Sequence, residues 1–306
     1  MLVTSKGMLK KAQKGKYAVG AFNINNMEIL QAIVAAGVKM KSPIIIQTSE
    51  GAIEYAGMEY LIALVRVAAK APIPIALHLD HGKNMKIIKK AIATGYTSVM
   101  FDGSSLPYDK NVRLTKDVVK MAHRRGITVE AELGAIAGIE DFVSVSEREA
   151  HLTNPDKAKD FVKKTNCDLL AVAIGTSHGA YKYKGSGKLD FKRLAEIRKI
   201  INAPLVLHGA SGVPQSIVRE AERYGARLKN PRGVSDSLIK KAIKGGITKI
   251  NTDTDLRLSF TCAVRKTLKK DPTIFDPRKI IGPARDLIQK TVEHRIEVFG
   301  SKNKGK

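Results

Sequence analysis

Cysteine is nearly absent from these 306 residues: Cys167 and Cys262 are the only two, and no CxxC pair occurs. That excludes a disulfide scaffold, makes both thiols small buried apolar residues by expectation, and points to a reducing cytoplasm. Tryptophan is missing altogether. Eight Phe and eight Tyr leave few platforms on which single-stranded nucleic acid could stack. No apolar run approaches the ~18–20 residues a membrane span requires, so no membrane partner is expected. The stretch 1–16 is basic and helix-like without the apolar centre of a secretory signal, and is expected to belong to the fold. No GxGxxG follows the first apolar run, which weakens a dinucleotide-binding reading. No short repeat, low-complexity tract or linker marks a boundary, so residues 1–306 read as one domain.

Acidic residues are scarce relative to basic ones, 29 against 53, for a formal charge of +24. Such a field favours polyanions and makes nucleic-acid binding the competing class. The lysines are dispersed, however, as in Lys89–Lys90, Lys163–Lys164, Lys240–Lys241 and Lys269–Lys270, mostly where helical patterns turn outward. The excess therefore reads as mainly solvated surface, with steering of phosphorylated substrates as a second contribution. No nucleic-acid partner is expected.

What the chain does have is alternation. Eight short apolar runs occur: Tyr17–Asn23, Pro43–Ser49, Ile73–Asp80, Ser98–Asp102, Thr128–Leu133, Leu169–Gly175, Leu205–His208 and Ile247–Thr252. Each is bounded by Gly, Pro, Ser or Asn, as strands buried on both faces are. Helical patterns lie between them, the first opening on an Asn26 cap. Eight strand–helix alternations predict an α/β fold, a closed (β/α)8 TIM barrel, rather than an open sheet. Three segments exceed a minimal barrel. A long polar connection spans 135–152, an extra helix is expected over Gln215–Tyr224, and two C-terminal helices over Asp255–Lys270 and Arg278–Phe299 precede a frayed tail at 301–306.

In such barrels chemistry sits at the carboxyl ends of the strands. There the third run ends in His78-Leu-Asp80-His81-Gly82, the fifth in Glu130-Ala-Glu132, the sixth in Gly175-Thr-Ser-His178-Gly179. The seventh ends in His208-Gly209-Ala-Ser211-Gly212 and the eighth in Asn251-Thr-Asp253-Thr254-Asp255. His81, His178 and His208, each followed by glycine, converge on one mouth. Three imidazoles with a vacant fourth position make an open zinc site. His78, two residues below Asp80, reads as a hydrogen-bonded core histidine, and His123, His151 and His294 as helix or loop residues. The Gly209–Gly212 turn and the Asn251–Thr254 segment offer amides and hydroxyls to phosphate, which suits a bisphosphate. Lys249 shares parity with Asn251. It is either a Schiff-base amine or a lysine paired with Glu130 or Glu132, and the pairing is preferred where a metal site is available.

In these segments the sequence resembles the class II, zinc-dependent fructose-1,6-bisphosphate aldolases. The likeness runs from YAVGAFNI (17–24) through LHLDHG (77–82), GTSHG (175–179), LHGASG (207–212) and KINTDTDLR (249–257) to FDPRKIIGPAR (275–285). It implies reversible cleavage of fructose 1,6-bisphosphate to dihydroxyacetone phosphate and glyceraldehyde 3-phosphate, with tagatose-bisphosphate aldolase as the nearest alternative. Carried over, it implies His81, His178 and His208 as Zn2+ ligands and Glu132 at an alternative or second divalent position. Asp80 would exchange a proton with the C4 oxygen, Glu140 would move the proton on the dihydroxyacetone-phosphate carbon, and Asn251 would hold the enediolate. Gly179, Lys182, Gly209, Ser211, Asp253 and Thr254 would form the dihydroxyacetone-phosphate pocket, with Ser49 near the aldehyde half. Arg257 would reach the distal phosphate of a neighbouring subunit, which implies a homo-oligomer, dimer or tetramer. A monovalent cation, Na+ or K+, would lie near Gly179, Gly209 and Ser211. The segment AGIEDF (137–142) departs from the family's glycine-rich lid.

Overall fold

The computed structural model describes residues 2–136, 151–177, 189–228 and 231–305, together with the backbone of 138–140 and 143–145. In chain order the first half runs α1 (Ser5–Gly15), β1 (Val19–Asn23), α2 (Met27–Lys39), β2 (Ile44–Thr48), α3 (Glu50–Ala56), α4 (Met58–Ala68), β3 (Ile75–Leu79), α5 (Met85–Thr94), β4 (Ser98–Phe101), α6 (Tyr108–His123) and β5 (Thr128–Leu133). The second runs β6 (Gly138–Glu140), β7 (Val143–Val145), α7 (Pro155–Thr165), β8 (Leu169–Val172), α8 (Phe191–Ile200), β9 (Leu205–Leu207), α9 (Gln215–Arg223), α10 (Asp236–Lys244), β10 (Ile247–Thr252), α11 (Thr254–Lys270) and α12 (Pro277–Phe299). Eight parallel strands close in the order β1-β10-β9-β8-β5-β4-β3-β2, while β6 and β7 form a separate antiparallel pair. This is the TIM barrel that the alternation predicts.

The local reasons are visible in the sequence. Asn26 caps α2 by accepting from the amide of Ile29, Asn154 caps α7 ahead of Pro155, and Asp190 caps α8. Gly95 and Asn166 end α5 and α7 in the left-handed region. The barrel strands are buried from end to end except at Leu133, because helices cover them outside and side chains fill the interior.

Inside the barrel, inward parity sorts the residues by height. At the floor, Val19, Ala21, Ile45, Ala76, Leu169, Ala171 and Val206 pack with Met8, Leu9 and Ala12 of α1, which closes that end. Higher up on the same inward parity, two or four residues beyond the floor on β1, β2, β3 and β9, come Asn23, Gln47, His78, Asp80 and His208, joined by Glu130, Glu132, Lys249 and Asn251, every one of them buried.

Three departures from the sequence reading stand out. Helix α3 occupies a stretch for which the sequence reading names no helix, and Ser49 caps it by accepting from the Ala52 amide. The connection 135–152 contains the β6–β7 hairpin. The expected frayed tail is docked instead: the amides of Asn303 and Gly305 donate to the carbonyls of Met40 and Lys41, and Ser42 Oγ donates to Ser301 Oγ at 2.9 Å. Those carbonyls end α2 and need donors that the helix itself does not provide, and the tail brings them.

Candidate active site

Asp80 follows β3 directly and its carboxylate is fixed from two sides. Asn23 and Gln47, from β1 and β2, donate to Oδ2 at 3.1 and 3.0 Å, and Asn251 of β10 donates to Oδ1 at 2.9 Å. Burial alone would raise its pKa, but the cationic groups around it, His81 first and then Lys249, outweigh burial and hold it below the usual carboxylate range. Three donated amide hydrogens suit an ionised carboxylate and aim it.

His81 comes next, at φ 46°, in a left-handed conformation that L-residues adopt only when surroundings impose it. Gly82 allows the turn, since a Cβ there would meet the Met100 carbonyl at 2.6 Å. Two amides beyond it, Lys83 and Asn84, donate to Glu50 Oε1 and tie the loop to α3. The ring's Nδ1 donates to Asp102 Oδ2 at 3.0 Å, and Asp102 is held in turn by the amide and hydroxyl of Ser104. His208 stands edge-on to His81, ring centroids 4.5 Å apart. Its Nε2 lies 2.8 Å from Glu130 Oε1 and its Nδ1 3.0 Å from Glu132 Oε2.

These groups make a well for a cation. Although burial opposes it, Asp80, Asp102 and Glu132 push the pKa of His81 up to about 10. His208 is raised too, by Glu130 and Glu132 against burial and against His81. The ligand atoms of Asp80, His81 and His208 all lie within 4.8 Å of one another, as do those of His81, Asp102 and Glu132. Imidazole nitrogen and carboxylate oxygen are the donor set of a divalent metal of the zinc type, and the residues present fit such an ion. With such an ion bound, Asp102 would do what an outer carboxylate does for a ligating histidine, fixing its tautomer and ring angle.

Beside this cluster lies the turn after β9. Gly209 has φ 59°, and a Cβ there would meet the Ser177 carbonyl at 2.5 Å, so the two neighbouring loops are in backbone contact. Ser211 is buried, with its Oγ 3.4 Å from the Asp253 amide. Asp255 accepts from the amides of Gly212 and Val213 at 3.0 and 2.7 Å, and buried Arg295 stands 3.3 Å behind it. That support explains how Val213, a β-branched residue, persists at φ 47°. Thr254 opens α11, and Arg257, half exposed on its first turn, pairs with Asp253 Oδ2 at 2.7 Å in its own barrel.

Thus Asp80, His81, His208, Glu132 and Asn251 come together, with Gly209, Ser211, Asp253 and Arg257 grouped at the loops after β9 and β10. His178, Gly179 and Lys182 lie outside the described residues, and Glu140 is described only as the last residue of β6. Lys249 is paired with Glu130 rather than standing as a nucleophile. His78 is a core histidine, bonded to Ser98 Oγ at 2.8 Å. His123 and His294 serve helix-surface pairs with Asp168 and Asp236. The sequence reading missed Asn23, Gln47, Asp102 and Asp255 as site residues. Asp102 could have been found: it ends the fourth run as Asp80 ends the third. Nothing in the sequence marked the other three beyond inward parity or nearness to the turn.

A closed parallel barrel whose strand ends gather histidines and carboxylates around one point is a metal-dependent barrel enzyme. Residues 3–304 match the model of the class II fructose-bisphosphate aldolase family. The chain is 53% identical over 301 residues to the fructose-bisphosphate aldolase of Thermus caldophilus, covering 98% of this chain and 99% of that protein. It is 48% identical over 306 residues to the enzyme of the same name from Helicobacter pylori strain 26695, covering 99% and 100%. Among solved structures, the YdjI aldolase from Escherichia coli K12 superposes over the whole of both chains with a TM-score of 0.80 at 32% identity. The chain belongs to the class II fructose-bisphosphate aldolase family.

Proposed function

We propose that this protein is a zinc-dependent aldolase that reversibly cleaves fructose 1,6-bisphosphate, within glycolysis and gluconeogenesis, in the cytoplasm. The observation that carries the reading is the meeting of Asp80, His81 and His208 ligand atoms within 4.8 Å at the barrel mouth, in a chain of this family.

His81, His208 and, by family likeness, His178 would hold the metal, with Glu132 at a second or alternative divalent position. Zinc held there would supply a Lewis acid to polarise the substrate carbonyl and to stabilise the negative charge that cleavage leaves on oxygen. The chain's own residues do the rest. Asp80, ionised and held by three amides, takes the proton of the C4 hydroxyl as the C3–C4 bond breaks, and the bond's electron pair passes to the dihydroxyacetone-phosphate half. Asn251 holds the resulting enediolate, and Glu140 delivers the proton to carbon. Gly179, Lys182, Gly209, Ser211, Asp253 and Thr254 bind the dihydroxyacetone-phosphate phosphate, where the same backbone would also take Na+ or K+. Ser49 lies toward the aldehyde. Arg257 is half exposed and paired with Asp253 in its own barrel, and we assign it to the phosphate of a neighbouring subunit's substrate in a homo-oligomer.

A coupled assay on fructose 1,6-bisphosphate tests the reading. Chelation should abolish cleavage and zinc should restore it, while borohydride with substrate labels no lysine. Labelling at Lys249 with activity retained in chelator overturns it, and a preference for tagatose 1,6-bisphosphate reassigns the substrate. Mixing Arg257→Ala with Asp80→Ala chains tests the assembly, since subunit exchange should regenerate activity.

A further inference from the structure

Lys249 has no part in the mechanism above, yet it is fully buried in the barrel axis. Its ammonium lies 2.9 and 3.1 Å from the two oxygens of Glu130, donates to Asn251 Oδ1 at 2.9 Å, and stands 3.5 Å from His78 Nε2. His78 is anchored from the opposite side, through Ser98 Oγ to Ser5 Oγ of α1, each contact 2.8 Å. The lysine's three donors thus have three directions, all set by strands or by the floor helix.

Of these contacts, the one to Asn251 bears on the reaction. An ammonium carries no lone pair, so it can meet only the oxygen end of an amide. That turns the NH2 end of Asn251 toward Asp80, where it donates to Oδ1. Asp80 enforces the same orientation only as a bare carboxylate. Once it has accepted the C4 proton it can donate as well as accept, and no longer distinguishes the two ends of the amide. Lys249 still does. We propose that Lys249 is a positioning residue that keeps the Asn251 amide turned toward substrate and Asp80 throughout the turnover, with Glu130 balancing its charge. The inference rests on the aldolase reading and adds to it a reason for a buried ion pair on the barrel axis.

The experiment is a double-mutant cycle, run on full-length zinc-loaded enzyme. Removing Lys249 alone would strand the Glu130 charge, so the cycle is built on Glu130→Gln. In that background Lys249→Met should lower kcat about 10- to 100-fold, on the scale of a lost or misdirected donor, with KM little changed. On an Asn251→Ala chain in the same background it should cost almost nothing further. Lys249→Gln, which keeps a neutral donor, should recover most of kcat where Met does not. Equal losses with and without Asn251, or identical behaviour of Met and Gln, would show that Lys249 does not act through the Asn251 amide and would overturn the proposal. Failure of the native chain to cleave fructose 1,6-bisphosphate would instead sink the aldolase reading.

Discussion

The two ends of the barrel are built from the same inward-facing positions and use them in opposite ways. On β3 the inward residues climb from Ala76 through His78 to Asp80, on β2 from Ile45 to Gln47, and on β1 from Val19 and Ala21 to Asn23. At the floor these side chains are apolar and α1 seals them with Leu9 and Ala12, both wholly buried. At the mouth they are polar, equally buried, and each is held by two or more polar partners. Burying such groups stabilises nothing by itself, because their desolvation cost roughly cancels what their pairing returns. The floor therefore supplies cohesion, and the mouth draws on that cohesion to hold ionised groups where water would otherwise scatter them.

If that division holds, damage at the mouth should appear in chemistry and damage at the floor in stability. The largest effect is expected for Asp80→Ala, which should lower cleavage by about 10²–10⁴-fold while zinc content stays at the native level. Loss of the metal with the activity would make Asp80 part of the metal's support instead. Next comes Leu9→Ala at the floor. Truncating a fully buried leucine should cost about 2–5 kcal/mol of unfolding free energy, and kcat per folded molecule should not change. A large drop in kcat at unaltered melting temperature would show that the floor is not separate from the site.

Asp102→Ala probes the layer between ligand and scaffold. Removing the carboxylate that orients the His81 ring should weaken zinc binding about 10- to 100-fold, measured by competition with a chelator. Native affinity would mean the left-handed backbone at His81 suffices to aim the ring. The smallest effect belongs to Asp168, just before β8, whose carboxylate takes the Val129 amide and pairs with Lys6 of α1 and with His123. Burial would raise its pKa, but Lys6 and the Val129 amide lead the contacts that hold it below the usual carboxylate range. The sign follows from linkage: with the folded value depressed, the stabilisation is full above the unfolded value of about 3.9 and fades as pH falls through the folded one. Native protein should thus exceed Asp168→Asn in melting temperature at neutral pH, and the margin should shrink as pH falls below about 4. A margin that fails to shrink below about pH 4 would contradict this.

Much of this is legible in the sequence. The eight strands fall where runs of Val, Ile, Leu and Ala meet Gly or Asn, and Asn26, Asn154 and Asp190 cap helices that their spacing announces. Helix α3 was missed because it is only seven residues long, too short for a 3.6-residue period to show. The tail was misread because its composition is polar, and the amides that dock it on Met40 and Lys41 carry no side-chain signature. His81, Asp80 and His208 were recognisable from their place at strand ends. Asn23 and Gln47 looked like ordinary strand residues until barrel closure set them beside Asp80.

The amino-acid pattern by itself determined the fold class, the order of elements and which residues could bear chemistry, because periodicity, capping and strand-end glycines act over a few neighbouring positions. Which of those residues meet was decided only by closure of the sheet. Closure brings Lys249 to Glu130 across 119 positions and Asn251 to Asp80 across 171. Contacts at that separation depend on strand register and barrel stagger, which no local stretch of sequence specifies.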